Sequence, residues 1–294
     1  MRRTKNVLVT GVGGLSGKAA MHVLKNKGFH VIAVDMVPVD HCADAFFLVP
    51  PVRDPHYIDT LDALLVAHDI GWLFPTVQEE LVLIAERAAL YRRRGIAVFV
   101  ANPEAVAICD DKWHTAQTLG AAGVAVPKSA IGKSDSADVM RLGYPCVSKP
   151  RVGRGGRDVE VHDGPIVPSS NSSENNLVWQ EFMPGTEYDV LMMLPPEQPL
   201  EVTTVVFEKT LLREGRTGNA LEVIRVHAPD VRNLALSAAR TLKLVGPLDM
   251  DIRRDINGVA HVLEINARIG AHTQKAPEIF DAMVDLYALG SLGG

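Results

Sequence analysis

Four side chains near the C-terminus could gather a hard cation. Asp249, Asp251, Glu264 and Asn266 lie in GPLDMDIRRDINGVAHVLEIN, residues 246–266. The stretch reads as two strands, 248–254 and 259–266, joined by Asn257-Gly258. Asn-Gly marks a hairpin because a type I′ turn needs positive φ at both central positions. With a two-residue loop, Ile256 faces Val259, Asp251 faces Glu264 and Asp249 faces Asn266. Side chains alternate along a strand, so the four polar groups share one face while Met250, Ile252, Leu263 and Ile265 share the other. Opposed carboxylates destabilise a sheet. A divalent cation removes that conflict, since Mg²⁺ is held by one or two carboxylates together with substrate phosphates. The plainer alternatives are a solvated acidic face or a register displaced by a bulged turn.

A second chemical feature lies upstream, in Lys149-Pro150-Arg151-Val152-Gly153-Arg154-Gly155-Gly156-Arg157. It joins strand to strand and lacks the Gly-Lys-Ser/Thr ending of a P-loop, which would open a helix. Glycines let backbone N–H groups approach phosphate oxygens, and Lys149 and the arginines supply positive charge. An exposed basic hairpin is the bland reading. Paired with a carboxylate metal site, the loop suggests a flap over a nucleoside triphosphate. A third feature, Gly11 to Gly17 after the first strand with Asp35 ending the second, has the layout of a dinucleotide site. The same turn serves any tight strand-to-helix crossover. A short-chain reductase would add Tyr-x-x-x-Lys, and none of the five tyrosines has lysine four residues on.

The elements that must position these groups fall into two sets. Strands at 6–10, 30–35, 71–76 and 96–102 alternate with helices at 17–27, 57–68 and 79–94, which predicts a parallel α/β sheet. After a boundary near 103–110 comes a helix from Asp110-Asp111-Lys112 to about 121. Strands follow at 144–150, 157–162, 177–182, 187–194 and 202–212, then a helix over 230–243, the acidic hairpin and a final helix over 277–290. This half reads as α+β. A length of 294 residues suits two domains. A net charge of −5 argues against a nucleic-acid footprint. No apolar run reaches the 18 residues of a membrane span. Cys42, Cys109 and Cys146 are isolated, which suits a reducing cytoplasm rather than a zinc knuckle or disulfide frame.

Taken together, K-P-R-V-G-R-G-G-R-D-V (149–159), Q-E-F-M-P-G-T-E-Y-D-V (180–190) and D-x-D…L-E-I-N-A-R (249–268) resemble the ATP-grasp superfamily, and most closely its carbamoyl-phosphate-synthase-like carboxylate–amine ligases. The motifs keep their order and spacing over 110–270. The resemblance implies an α/β Rossmann-like pre-ATP-grasp domain over 1–108 and an α+β ATP-grasp domain over 109–294. The latter would divide into a small lid of about 110–178 and a catalytic part of about 179–294.

By position, the resemblance implies that Lys112 and Lys149 touch ATP phosphates and that Gly153, Gly155 and Gly156 form the flap. Main-chain groups of Glu181 and Met183 would bond the adenine edge. Phe182 would wall it, with Trp179 either beside it or in the core. Glu187 would bind ribose. Asp251, Glu264 and Asn266 would hold the metal, although aspartate stands at 251 where many relatives have glutamine. Arg268 would sit beside the γ-phosphate, and Lys149 and Arg268 would be the catalytic pair. Asp249 receives no role. His272 and Lys275 are candidates for a substrate carboxylate.

The implied cofactors are ATP and Mg²⁺, with Mn²⁺ as an alternative ion. The implied partners are small carboxylates and amines, amino acids among them, with no nucleic acid or membrane and with a homodimer among the expected states. The implied reaction is amide formation through an acyl phosphate with release of ADP and phosphate. The rival readings are an NAD-dependent reductase using the N-terminal loop and a non-catalytic nucleotide-binding subunit. One ATP-grasp unit instead of two makes carbamoyl-phosphate synthesis itself an unsuitable reading.

Overall fold

The computed structural model describes residues 4–153, 156–165, 176–196 and 201–290. The first half is built on a parallel sheet of β1 (Asn6–Thr10), β2 (His30–Asp35), β3 (Ala45–Leu48) and β4 (Trp72–Phe74) in the order β3-β2-β1-β4. Helices α1 (Leu15–Asn26), α2 (Tyr57–Ala67) and α3 (Leu81–Arg93) accompany it. The continuous apolar runs of β1 and β2 are buried, as a parallel sheet covered on both faces requires.

The expected strand over 96–102 does not form. Ile96 to Ala101 are buried, but only Ala97 bridges to Trp72. Beyond that bridge the chain passes beside Gly246, where a Cβ would lie 2.8 Å from the Phe99 carbonyl oxygen. Burial alone therefore made this stretch look like a strand.

Two short helices, α4 (Pro103–Asp110) and α5 (Lys112–Ala121), lead into the second half. Asn102 caps the first through Ala105 N, and Asp111 caps the second by accepting from Trp113 N and His114 N. A small antiparallel sheet follows. It contains β5 (Ser129–Ile131), β6 (Cys146–Pro150), β7 (Glu160–His162) and β8 (Leu177–Glu181) in the order β5-β8-β6-β7, with the one-turn α6 (Ala137–Met140) beside β5. Because β8 pairs with β6, this lid sheet runs to Glu181, past the expected limit of about 178.

The larger sheet is antiparallel, in the order β11-β10-β9-β12-β13. Its strands are β9 (Glu187–Leu194), β10 (Thr203–Leu212), β11 (Ala220–Arg225), β12 (Gly246–Arg254) and β13 (Ala260–Asn266). Helix α7 (Pro229–Thr241) packs on one face and α8 (Pro277–Leu289) on the other. Two apolar clusters run unbroken from the first sheet into the second. One joins Leu8 and Leu73 to Met250 and Ile265, and the other joins Trp72 and Phe99 to Leu191 and Phe280. Trp72 stacks on Tyr287 of α8 with centroids 4.9 Å apart. The two halves therefore share cores, and these reach both faces of the larger sheet. Among the described residues, no helix is long and apolar enough to cross a membrane.

Candidate active site

The β12–β13 hairpin sets the site, and it reaches the expected pairing by an unexpected route. Asp251 faces Glu264 and Asp249 faces Asn266, as read from the sequence. The loop is not a two-residue turn, however. Arg254 pairs with Ala260, Asp255 N donates to Val259 O, and Gly258 alone takes positive φ, at 81°. That is a three-residue loop with glycine in the left-handed position. It shifts the register by one near the turn. A second irregularity between Asp251 and Ile252 restores it. Leu263 is the residue left over. It leaves the apolar face to which its alternation assigned it and lines the cavity, while Val262 takes its place in the core.

One cavity of about 570 Å³ collects almost all the expected groups. At one end lie Val147, Phe182, Met183 and Leu263, with the hinge after β8. The hinge is fixed because the Glu181 amide donates to Lys128 O and the Phe182 amide to Pro145 O. Arg216 and Arg253 both lie against the Phe182 ring, at 4.5 and 4.9 Å from its centroid. Trp179, by contrast, is 2 % exposed, donates Nε1 to Gly132 O and belongs to the lid core. Gly153 and Gly156 border the cavity from above, and Gly155 and Arg154 lie outside the described residues. Gly156 takes φ 66°, and a Cβ there would lie 2.8 Å from Gly218 Cα. The flap thus meets the β10–β11 turn, and Arg216 of that turn reaches Asp163 at 2.9 Å.

In the middle of the cavity each expected metal ligand is matched to a cation of the chain. Lys112 Nζ lies 3.3 Å from Glu264 Oε1 and donates to Gly153 O at 2.8 Å. Arg268 donates to Asn266 Oδ1 at 3.1 Å. Lys209 lies 2.6 Å from Asp251 Oδ1 and 2.8 Å from Glu187 Oε1. The other Glu187 oxygen accepts from Arg253 at 3.2 Å. Lys149 is buried, with Nζ 3.4 Å from Leu263 O.

Burial alone would lower the Lys209 pKa, but the charges of Asp251 and Glu187 outweigh it and hold the ammonium well above its ordinary value. Burial pulls Lys149 down to about 8, opposed by Glu264 and assisted by Lys112. Burial pushes Asp251 up to about 6, with Lys209 opposing and Glu187 and Asp189 reinforcing. Two carboxylates and an amide oxygen form a hard oxygen donor set that fits Mg²⁺ or Mn²⁺.

The sequence reading missed Lys209 and Asp189. Asp189 stands beside Asp251 across the β9–β12 pairing, and its Oδ2 contacts His272 Nδ1 at 2.6 Å. Burial works to raise its pKa, and the His272 hydrogen bond and the Lys209 charge outweigh it. Burial, then the charges of Asp189 and Asp251, push the Asp249 carboxyl well above the usual carboxylate range. Period-2 alternation from Glu187 places Asp189 on the cavity face, and that signal was available in the sequence. Lys209 carried none, since β10 alternates poorly at that end and its pairing with β11 is irregular.

His272 and Lys275 both border the cavity, as do Leu15 and Ser16 of α1. The N-terminal glycine loop therefore borders this cavity. Its Gly13 amide, which a dinucleotide reading would offer to a pyrophosphate, donates to Asp35 Oδ2 at 2.8 Å. Asp35 Oδ1 accepts from Met36 N at 2.8 Å.

Comparison with known proteins bears on the family and the fold. The family described as ATP-grasp domain matches residues 109–272, and the PylC-like N-terminal domain matches 7–99. The N-terminal section of the carbamoyl phosphate synthase large chain of Aquifex aeolicus (strain VF5) is 28% identical over 179 residues, 53% of this chain. The match spans only 31% of that relative's length. An L-amino acid ligase from Bacillus licheniformis superposes with a TM-score of 0.71 at 17% identity, covering 93% of this chain and 70% of that one. An N5-carboxyaminoimidazole synthetase from Staphylococcus aureus complexed with ADP superposes at 0.73 and 16% identity, covering 98% and 78%.

Proposed function

The chain belongs to the ATP-grasp family, and on that premise we propose that it is an ATP-dependent carboxylate–amine ligase. The observation that carries the reading is the row of Asp251, Glu264 and Asn266, each set against a chain cation in a cavity that Gly153 and Gly156 also line. The named activities of the similar proteins, a carbamoyl phosphate synthase, an amino acid ligase and a carboxyaminoimidazole synthetase, agree with it.

In this reading adenine enters between Phe182, Met183 and Leu263, and its ribose meets Glu187. Lys112 and Lys149 bind phosphate oxygens, and Lys209 and Arg268 offset charge on the phosphoryl group in transfer. Asp251, Glu264 and Asn266 would hold Mg²⁺, which when bound neutralises charge on the β- and γ-phosphates. A substrate carboxylate oxygen forms a bond to the γ-phosphorus while the bond to the bridging oxygen of ADP breaks. The amine nitrogen then bonds to the acyl carbon, phosphate leaves with the former carboxylate oxygen, and the surplus amine proton is released to solvent. No side chain acts as a nucleophile. The protein contributes positioning and preorganised charge.

The test is ATP, Mg²⁺ and a panel of carboxylates in the presence of hydroxylamine. Acid-dependent hydroxamate and ADP are expected. Their absence across a broad panel with folded protein would overturn the ligase reading. A saturable fluorescence change on adding submillimolar NADH would favour the reductase instead.

A further inference from the structure

Asp189 Oδ1 is buried, and no donor reaches it among the described residues. Its sister oxygen is taken by His272. Beside it stands the carboxyl of Asp249. One oxygen from each of Asp189, Asp249 and Asp251 lies within 4.8 Å of the others. A buried acceptor without a donor costs about 1–3 kcal/mol, and this one, in a pocket of three carboxyls, calls for a hydrogen-bearing positive charge.

The surroundings hold the pair in place. Asp189 and Glu187 share the cavity face of β9, and further along that face Leu191 and Met193 are buried in the apolar cluster that contains α8. Asp249 Oδ2 presses on Gly270, where a Cβ would lie 1.7 Å away. Only glycine at 270 leaves room for that carboxylate. The carboxyls line the same cavity as His272 and Gln274.

We propose that Asp189 and Asp249 form the subsite for a protonated amine, the ammonium group of the second substrate. This assignment rests on the ligase reading for which substrate it concerns, but not for the binding itself. An ammonium has several N–H donors in tetrahedral directions. With charged N–H···O distances of about 2.8 Å, its acceptors sit ~4.6 Å apart, inside the observed limit. Octahedral Mg²⁺, with ligands at about 2.1 Å, would draw neighbouring oxygens to ~3 Å, also inside that limit, so competition by Mg²⁺ is part of the test. Glu264 and Asn266 face that ion instead, on the neighbouring strand. His272 orients Asp189 and leaves its second oxygen for the ligand.

The test uses 1,4-diaminobutane as probe and neutral 1,4-butanediol as control, by calorimetry on the full chain without ATP. Saturable binding of the diamine is expected, with none for the diol. Asp249→Asn and Asp189→Asn should each weaken it at least tenfold while near-ultraviolet circular dichroism stays native. Mg²⁺ at millimolar concentration should not compete. No diamine binding, or binding by both variants equal to that of the wild type, would overturn the proposal. Displacement by Mg²⁺ alone would overturn it in favour of a metal site. The hydroxamate assay separates the two readings. Hydroxamate without diamine binding removes only the subsite, and diamine binding without hydroxamate removes only the ligase.

Discussion

Lys209 Nζ lies 2.6 Å from Asp251 Oδ1, so a lysine of β10 occupies the position next to a proposed metal ligand on β12, across the intervening strand β9. The same ammonium reaches Glu187 at 2.8 Å, and its side chain is 7% exposed. One cation therefore holds together two acids that would otherwise repel across the sheet. On the proposed ligase reading it does so beside the nucleotide phosphates, which gives it a structural and a functional role.

Replacing Lys209 by Met separates those roles. Removing one partner of a buried ion pair costs about 3–5 kcal/mol because the remaining charge is left uncompensated. Urea denaturation of Lys209→Met without metal should show a loss of that size. Mg²⁺ should restore more stability to this variant than to the wild type, because it offers Asp251 and Glu187 the charge they lost. ATP turnover should stay low even where Mg²⁺ restores the fold. An unchanged denaturation midpoint would show that the two acids do not depend on Lys209.

The ligands themselves give a sharper contrast. Glu264→Ala and Asn266→Ala should each lower ATP turnover by roughly 100-fold or more, the scale of losing a preorganised charge contact. Glu264→Ala also leaves Lys112 facing Gly153 alone, so its thermal midpoint should fall slightly, whereas Asn266→Ala should melt near the wild type. Near-normal turnover in a folded Glu264→Ala protein would remove the metal assignment.

Much of this site was legible because strands obey a period of two. The pairs Asp251–Glu264 and Asp249–Asn266 followed from counting outward from Asn257-Gly258, and the observed pairs are the same. The count survived only because two errors cancelled. The loop is one residue longer than assumed, and the bulge at Leu263 gives that residue back. Local turn chemistry does not reveal a compensating bulge, so Leu263 was placed in the core when it lines the nucleotide end. Lys209 and the Arg216–Asp163 contact were illegible for a different reason. Both join elements whose pairing depends on tertiary packing. The strands β3, β5 and β11 and the helix α4 were missed because they are short, and their residues are largely half-buried or exposed.

The flap glycines, treated alike in the sequence, should behave differently. At Gly153 an added Cβ meets nothing closer than Pro150 Cβ at 3.6 Å, an ordinary contact. At Gly156 φ is 66° and the Cβ would press on Gly218 Cα at 2.8 Å. Left-handed backbone costs a non-glycine residue roughly 1–2 kcal/mol, and the contact must also open. Gly156→Ala should raise the KM for ATP several-fold, while Gly153→Ala should change it less than twofold. Steady-state kinetics of the two variants decides the matter, and equal effects would mean that the closure between flap and β10–β11 turn is not used.

Lys149 predicts opposite pH trends for nucleotide binding and stability. Burial lowers its pKa from 10.5 to about 8 in the folded protein. Below about pH 8 the ammonium is intact and available to phosphate. Above it the charge is lost, so the Kd for a non-hydrolysable ATP analogue should rise between pH 8 and 9.5. Stability runs the other way. Between the folded value and the unfolded one the unfolded chain holds more protons, so this group's contribution to unfolding free energy increases with pH across that window. Below pH 8 its full burial penalty is present. Lys149→Met should bind the analogue more weakly at pH 7, by about 1.5–3 kcal/mol for a lost charged hydrogen bond. Its affinity should then be flat across the same pH range, and its stability should lose the rise. Isothermal titration and urea unfolding at pH 7, 8 and 9.5 measure both trends. A wild-type Kd that stays level up to pH 9.5 would mean that Lys149 does not carry the phosphate charge.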